Sequence, residues 1–144
     1  MLYLDTSALV KKYVQETGSK VVREIIAQEG IVATCVITRA EVAAAFSKAV
    51  RIGSLTGPAA QASQRGFVRE WKNYVRVRVT ETLVARAEDL AWTFKLRGYD
   101  AVHLAAALEW QDRLGEAVTL GTFDAELWDA ASEAGLERFP PALS

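Results

Sequence analysis

Apolar residues recur along the chain in short blocks whose spacing switches between that of strands and that of helices. Leu2 to Leu4 read as a short buried strand, and Ser7 to Val14 follow with Leu9, Val10, Tyr13 and Val14 on one helical stripe. Val21, Val22, Ile25 and Ile26 continue at helical spacing until Gly30, after which the β-branched run from Ile31 to Ile37 predicts a second strand. Thr38 begins a helix carrying Val42, Phe46 and Val50 on one face and stopping near Gly53, and a less regular helix runs from about Leu55 to Trp71. Val75 to Val79 alternate strictly between valine and arginine, which predicts a strand with one buried face at or near a sheet edge. An amphipathic helix spans Thr80 to Arg97, with Gly98 read as its terminator, and a helix apolar nearly all round runs from Asp100 to about Arg113. Val118 to Leu120, Ala125 to Ala134 and Leu136 to Phe139 complete the pattern as strand, helix and strand.

Strands separated by single or paired helices, with no hairpin turn signals between them, predict an α/β fold with a mostly parallel sheet flanked by helices. The chain has 144 residues, 51% of them hydrophobic, which suits a single domain over 1–144 with a substantial core. The formal net charge of -1 supplies no global basic field, so contact with nucleic acid would need a local patch. Cys35 is the single cysteine and lies in an apolar run, which excludes an internal disulfide and fits a buried, inert thiol. His103 is the single histidine, so a zinc site of the usual nitrogen and sulfur ligands is not expected. The N-terminus lacks the pattern of a secretory signal and no apolar run is long enough to span a bilayer, so a cytoplasmic protein is expected.

Four acidic residues, Asp5, Glu41, Asp100 and Asp124, stand where a predicted strand ends or a predicted helix begins. In a parallel sheet these chain turns gather on one edge, beyond the carboxyl ends of the strands. Two like charges about 5 Å apart repel by roughly 3 kcal/mol at an effective dielectric near 20, so carboxylates meeting there call for a divalent cation. Each acid also has a local structural explanation. Thr38 and Glu41 match a capping box, and Asp5, Asp100 and Asp124 suit helix N-caps. Capping requires no particular set of partners, whereas metal-assisted phosphoryl chemistry requires several oxygen ligands on rigid chain ends with one side open.

In order along the chain, Leu4-Asp5-Thr6-Ser7-Ala8-Leu9, Ile37-Thr38-Arg39-Ala40-Glu41-Val42, Asp100-Ala101-Val102-His103 and Leu120-Gly121-Thr122-Phe123-Asp124 resemble the four motifs of the PIN domain, and within it the VapC-type ribonuclease toxins of toxin–antitoxin pairs. The resemblance spans nearly the whole chain. It implies a PIN-like nuclease domain and a metal-dependent endoribonuclease. Asp5, Asp100 and Asp124 would bind Mg²⁺ or Mn²⁺, Glu41 would bind directly or through water, and Thr122 would position a water or a phosphate oxygen. It further implies RNA, by analogy transfer or ribosomal RNA, as substrate, a cognate antitoxin covering the groove, and a homodimer. Phe123 departs from the pattern, where many members carry a polar residue. A non-catalytic PIN-like module binding RNA or protein is the main alternative.

Two other classes fit less well. Aspartyl phosphotransferases resemble Asp-x-Asp after their first strand, where Ser7 stands here, and a phospho-receiver needs an aspartate on a central strand, yet none occurs between Asp5 and Asp89. Arg65, Arg69, Lys72, Arg76 and Arg78, interleaved with Trp71 and Tyr74, form a basic strip suited to RNA, although the aromatics fit a core better. Arg39 stands next to the acids as a candidate phosphate contact. His103 lies one turn after Asp100 and reads as a hydrogen-bonded structural histidine.

Overall fold

The computed structural model describes residues 1–143 and forms a single five-stranded, wholly parallel sheet between two layers of helices. Its elements run β1 (Leu2–Leu4), α1 (Thr6–Tyr13), α2 (Ser19–Glu29), β2 (Val32–Cys35), α3 (Thr38–Arg51), α4 (Gly57–Glu70), β3 (Val75–Val77), α5 (Glu81–Phe94), α6 (Gly98–Leu114), β4 (Thr119–Gly121), α7 (Ala125–Glu133) and β5 (Glu137–Phe139). A 3-10 turn, Trp71–Asn73, joins α4 to β3. The strand order is β3-β2-β1-β4-β5. Connections leave β1 toward β2 on one side and return to β4 on the other, so the strand order reverses between β1 and β4. This switch point is where open sheets of this kind leave a crevice.

Strand alternation divides the core. Leu2 and Leu4 face one helical layer with Val42, Phe46 and Phe67, while Tyr3, Cys35 and Val77 face the other with Leu104 and Leu127. The β1 side chains Leu2, Tyr3 and Leu4 are fully buried, and burial of each large apolar side chain contributes roughly 1.5–3 kcal/mol. Because β1 lies at the sheet centre with neighbours on both sides and helices above and below, the residue that follows it is held rigidly. Leu4 pairs with Gly121 of β4, where an added Cβ would stand only 2.5 Å from Leu4 Cδ2. Glycine at this position leaves room for the buried Leu4 side chain, whereas the backbone of β1, at Tyr3 O, would stand at an ordinary 3.6 Å.

Helix boundaries follow local chemistry with one departure from expectation. Thr56 and Thr80 cap α4 and α5 through their hydroxyls. Gly98 does not end α5. That helix stops at Phe94, where Lys95 takes the left-handed conformation (φ 55°) and its N–H is satisfied by Ala91, and Gly98 is instead the first residue of α6. Asp100 therefore lies inside the first turn of α6, not at its N-cap. The alternating segment is β3, an edge strand as expected, and it pairs over Val75–Val77. The opposite edge is β5, whose last residue, Phe139, precedes Pro140 and Pro141. Among the described residues no helix is long and apolar enough to cross a membrane.

Candidate active site

Asp5 leaves the carboxyl end of β1 and caps α1, accepting the Ala8 N–H on Oδ1 at 3.0 Å. Ser7 Oγ donates to the same oxygen at 2.7 Å, and Thr122 Oγ1 donates to Oδ2 at 2.6 Å from the end of β4. The Asp5 carboxylate is only 3% exposed, yet both oxygens are aimed by hydroxyl groups. Burial raises its carboxyl above the usual range, with the His103 charge and the three hydrogen bonds pulling the other way.

Thr122 joins Asp5 to the second acid of this edge. Its hydroxyl accepts the Asp124 N–H at 3.1 Å while donating to Asp5, and Asp124 caps α7 by accepting the Leu127 N–H on Oδ1 at 3.0 Å. Asp124 Oδ2 remains for Arg97, whose Nη2 donates to it at 3.0 Å. Arg97 Nε also donates to Asp100 Oδ2 at 3.4 Å, so one guanidinium bridges two of the expected acids. Asp100 is half-buried, and its carboxyl is raised by that burial and then by the negative charges of Asp124 and Asp5, against the opposing charge of Arg97. Asp100 thus feels the charges of both Asp124 and Asp5 across the switch-point crevice.

Glu41 belongs to a second cluster. The expected capping box does not form: Ile37 occupies the N-cap of α3 without a side-chain bond, and the Thr38 hydroxyl pairs with that of Thr34 at 2.8 Å. Glu41 is thereby free to leave the helix terminus. Its Oε1 accepts the Thr6 hydroxyl at 2.7 Å and faces His103 Nε2 at 2.7 Å. Behind the imidazole, Tyr3 Oη stands 2.7 Å from Nδ1. Burial holds the Tyr3 hydroxyl well above its ordinary range, so the phenol keeps its proton. His103 thereby bridges Tyr3 and Glu41, one ring nitrogen to each, with Nε2 donating to the carboxylate. For the Glu41 carboxyl, burial pushes upward, and the His103 bond and charge with the Thr6 hydroxyl outweigh it, so the net shift is downward.

His103 is therefore hydrogen-bonded and buried, as read from the sequence, yet its partner is one of the site acids. Tyr3 had no place in the sequence reading. The available signal was that a phenol in a fully buried strand and an imidazole in an apolar helix each need a polar partner. Phe123, where the resemblance leads one to expect a polar side chain, packs edge-on to Phe139 and under the Lys11 ammonium, 4.6 Å from the ring centroid. Its place beside the acids is taken by Ser7, whose hydroxyl accepts the Phe123 N–H at 2.9 Å.

The carboxylates of Asp5, Asp100 and Asp124 with the hydroxyls of Ser7 and Thr122 form an all-oxygen donor set, the kind that suits Mg²⁺ or Mn²⁺. Among the described residues, no three His, Cys, Asp or Glu side chains stand at the spacing of a ready-made metal group. Arg97 takes the position of a cation between Asp100 and Asp124, which supports the fit of a positive charge there and requires the guanidinium to move when an ion is held. Beside these acids, a mainly apolar groove of about 710 Å³ lies between α5 and α6, its apolar lining including Val84, Ala87, Ala91 and Val102 and its charged lining Glu41, Glu88, Arg97 and Asp100.

Comparison with known proteins bears on the family and the fold. The family model of the PIN domain matches residues 2–133. Ribonuclease VapC45 of Mycobacterium tuberculosis (strain CDC 1551 / Oshkosh) is 32% identical over 143 residues, covering 99% of this chain and 97% of the relative. Among solved structures, a toxin–antitoxin complex from Klebsiella pneumoniae superposes with a TM-score of 0.70 at 18% identity over the full length of both chains. Mycobacterium tuberculosis VapC20, a sarcin-ricin loop cleaving toxin, superposes with a TM-score of 0.63 at 18% identity, covering 94% of this chain and 96% of its own. At that identity the two structures speak for the fold alone.

Proposed function

The chain belongs to the PIN domain family, and on that footing we propose that it is a metal-dependent endoribonuclease, the toxin of a toxin–antitoxin pair. The observation that carries this proposal is the Asp5 carboxylate, buried at the switch point, held by Ser7 and Thr122, and close enough to Asp100 that its charge, with that of Asp124, acts on the Asp100 carboxyl. In this reading Asp5, Asp100 and Asp124 hold Mg²⁺ or Mn²⁺, with Glu41 contributing directly or through a water. A hard divalent ion bound there activates a water toward phosphorus and stabilises charge on the leaving oxygen.

The chain's own groups do the rest. Thr122 fixes the separation of Asp5 and Asp124 by bonding to both, and Asp5 and Asp124 are further pinned by the helix amides they cap. The Thr6 and His103 bonds converge on Glu41 Oε1 and leave Oε2 without a hydrogen-bond partner among the described residues. The α5–α6 groove, largely apolar and with three acids to one arginine in its lining, suits a protein segment that carries apolar side chains and a cation, as an antitoxin covering the site would. Trp92 and Tyr99, 84% and 67% exposed, offer apolar surface near the same helices for a second copy of the chain, in keeping with a homodimer.

Cleavage of end-labelled RNA with Mg²⁺ or Mn²⁺ by the wild-type chain, Asp5→Ala and Asp100→Asn tests the proposal. Cleavage by the wild type alone supports it. Equal cleavage by all three chains points to a contaminating nuclease, and no cleavage of any RNA, structured or single-stranded, favours a PIN-like module that only binds.

A further inference from the structure

The basic strip read from the sequence does not stay together in the fold. Trp71 and Tyr74 are buried in the core, with the Tyr74 hydroxyl paired to that of Tyr13, and neither ring is open for a base to stack upon. What does assemble is a pocket of about 520 Å³ lined by Arg39, Arg76 and Arg78 together with Val36 and the edges of Trp71 and Tyr74. Arg76 is the middle residue of β3, Arg78 follows that strand directly, and Arg39 comes from the first turn of α3, so the strand, its exit and the helix start bring three arginines to one pocket. No acidic side chain lines the pocket. The ion pairs that arginines make among the described residues use Arg86, Arg97, Arg113 and Arg138, leaving these three guanidiniums without a carboxylate. In a chain of net charge -1, three exposed arginines converging without a counter-charge form a local anion-binding surface.

Its place relative to the acids follows from the topology. All five strands are parallel, so Val36 and Arg78, which follow β2 and β3, emerge on the same edge as Asp5 and Thr122. In the strand order β3 lies two positions from β1, a lateral offset of roughly 10 Å at an interstrand spacing of about 4.8 Å. Arg39 and Glu41 share α3, which links the pocket to the second acidic cluster.

We propose that Arg39, Arg76 and Arg78 form a phosphate-binding subsite that grips the backbone of an RNA strand beside the scissile bond, resting on the ribonuclease reading of the acidic site. Planar guanidiniums suit bidentate contact with phosphate oxygens, and burial of the neighbouring aromatics means that the subsite holds the backbone and does not read bases. It gives an otherwise acidic crevice the local charge needed to draw in a polyanion.

The test measures binding of a fluorescent single-stranded RNA in EDTA, as a function of salt, for the wild type, R39Q/R76Q/R78Q and R39K/R76K/R78K. Removing three phosphate contacts should lower the slope of log K against log salt by about 2 and weaken binding by more than tenfold at about 0.1 M salt. The lysine variant should retain most of the slope, because it keeps the charge. All three positions are exposed, so equal melting temperatures are expected and confirm that folding is intact. An unchanged slope in the glutamine variant overturns the proposal, as does an unchanged RNA slope accompanied by lost binding of an acidic protein. RNA cleavage by the wild type is scored separately with Mg²⁺. Cleavage with an unchanged slope removes the subsite and leaves the ribonuclease standing, and a reduced slope without any cleavage keeps the RNA contact while removing the catalytic reading.

Discussion

His103 Nε2 lies 2.7 Å from Glu41 Oε1, joining two residues separated by 62 positions of sequence. The contact ties α6 to α3 across the end of the sheet, with Tyr3 of the central strand fixing the imidazole from behind. A carboxylate held by two donors on one oxygen has its other oxygen directed.

His103→Leu is expected to lower RNA cleavage or divalent-ion affinity by roughly ten- to a hundredfold, the usual effect of removing a group that orients a ligand. It also strands the Tyr3 hydroxyl in the core, which costs about 1–3 kcal/mol. His103→Gln, whose side-chain amide reaches the place of Nε2, should recover most of the activity. Single-turnover cleavage and thermal melting of both variants separate the two effects: a loss of stability with undiminished cleavage by His103→Leu would show that Glu41 needs no such support.

Arg97 bridges Asp100 and Asp124 from an exposed position, so it competes with any cation bound between them. Exposed ion pairs are weak, and Arg97→Ala should therefore tighten Mn²⁺ binding only modestly, by roughly two- to fivefold in a calorimetric titration. Weaker Mn²⁺ binding by the variant would mean that Arg97 helps to build the site instead of occupying it.

Burial raises the folded-state carboxyls of Asp5 and Asp100 above their ordinary value of 3.8. A carboxyl shifted this way favours the folded state most at pH below its unfolded value, and that contribution is lost as pH rises through the folded pKa. Without divalent ions, Asp5→Asn should accordingly melt higher than the wild type at pH 7, with the gap closing as pH falls to about 4. Added Mg²⁺ should reverse the order at pH 7 by stabilising the wild type alone. Differential scanning of both proteins in EDTA and in Mg²⁺ checks each step, and a gap independent of pH would contradict the assigned burial effect.

Gly121→Ala places a methyl group 2.5 Å from Leu4 Cδ2 if nothing moves. Overpacking of this kind costs about 1–3 kcal/mol, readable as a lower urea midpoint. Because the fully buried Leu4 side chain, next to Asp5, must turn to make room, the Thr122 to Asp5 bond of 2.6 Å should loosen and cleavage should fall beyond what the unfolded fraction explains.

The sequence discloses the frame of the site better than its connections. Asp5 and Asp124 were legible because each follows a short apolar run, and parallel strands put all such positions on one edge. Asp100 reads as a cap because Gly98 has the composition of a helix stop, yet it lies three residues past the actual N-cap, Arg97, and the real stop is Lys95 in a left-handed conformation that lysine rarely signals. Glu41 matched a capping box by spacing alone. That local option lost to tertiary structure once Thr34 captured the Thr38 hydroxyl and His103 offered a stronger donor. In the basic strip, residues adjacent in sequence part company because strand alternation and core burial send Trp71 and Tyr74 inward, while Arg39, remote in sequence, joins Arg76 and Arg78.

The two ends of the sheet have a bearing on how copies of this chain associate. At one border β3 pairs over three residues and presents arginine; at the other, β5 is equally brief and runs into consecutive prolines, which have no amide hydrogen to offer. Neither border offers a long template for adding strands from another molecule, so the sheet edges guard the fold against open-ended fibrous stacking and leave helical faces as the surfaces on which a second protein would sit.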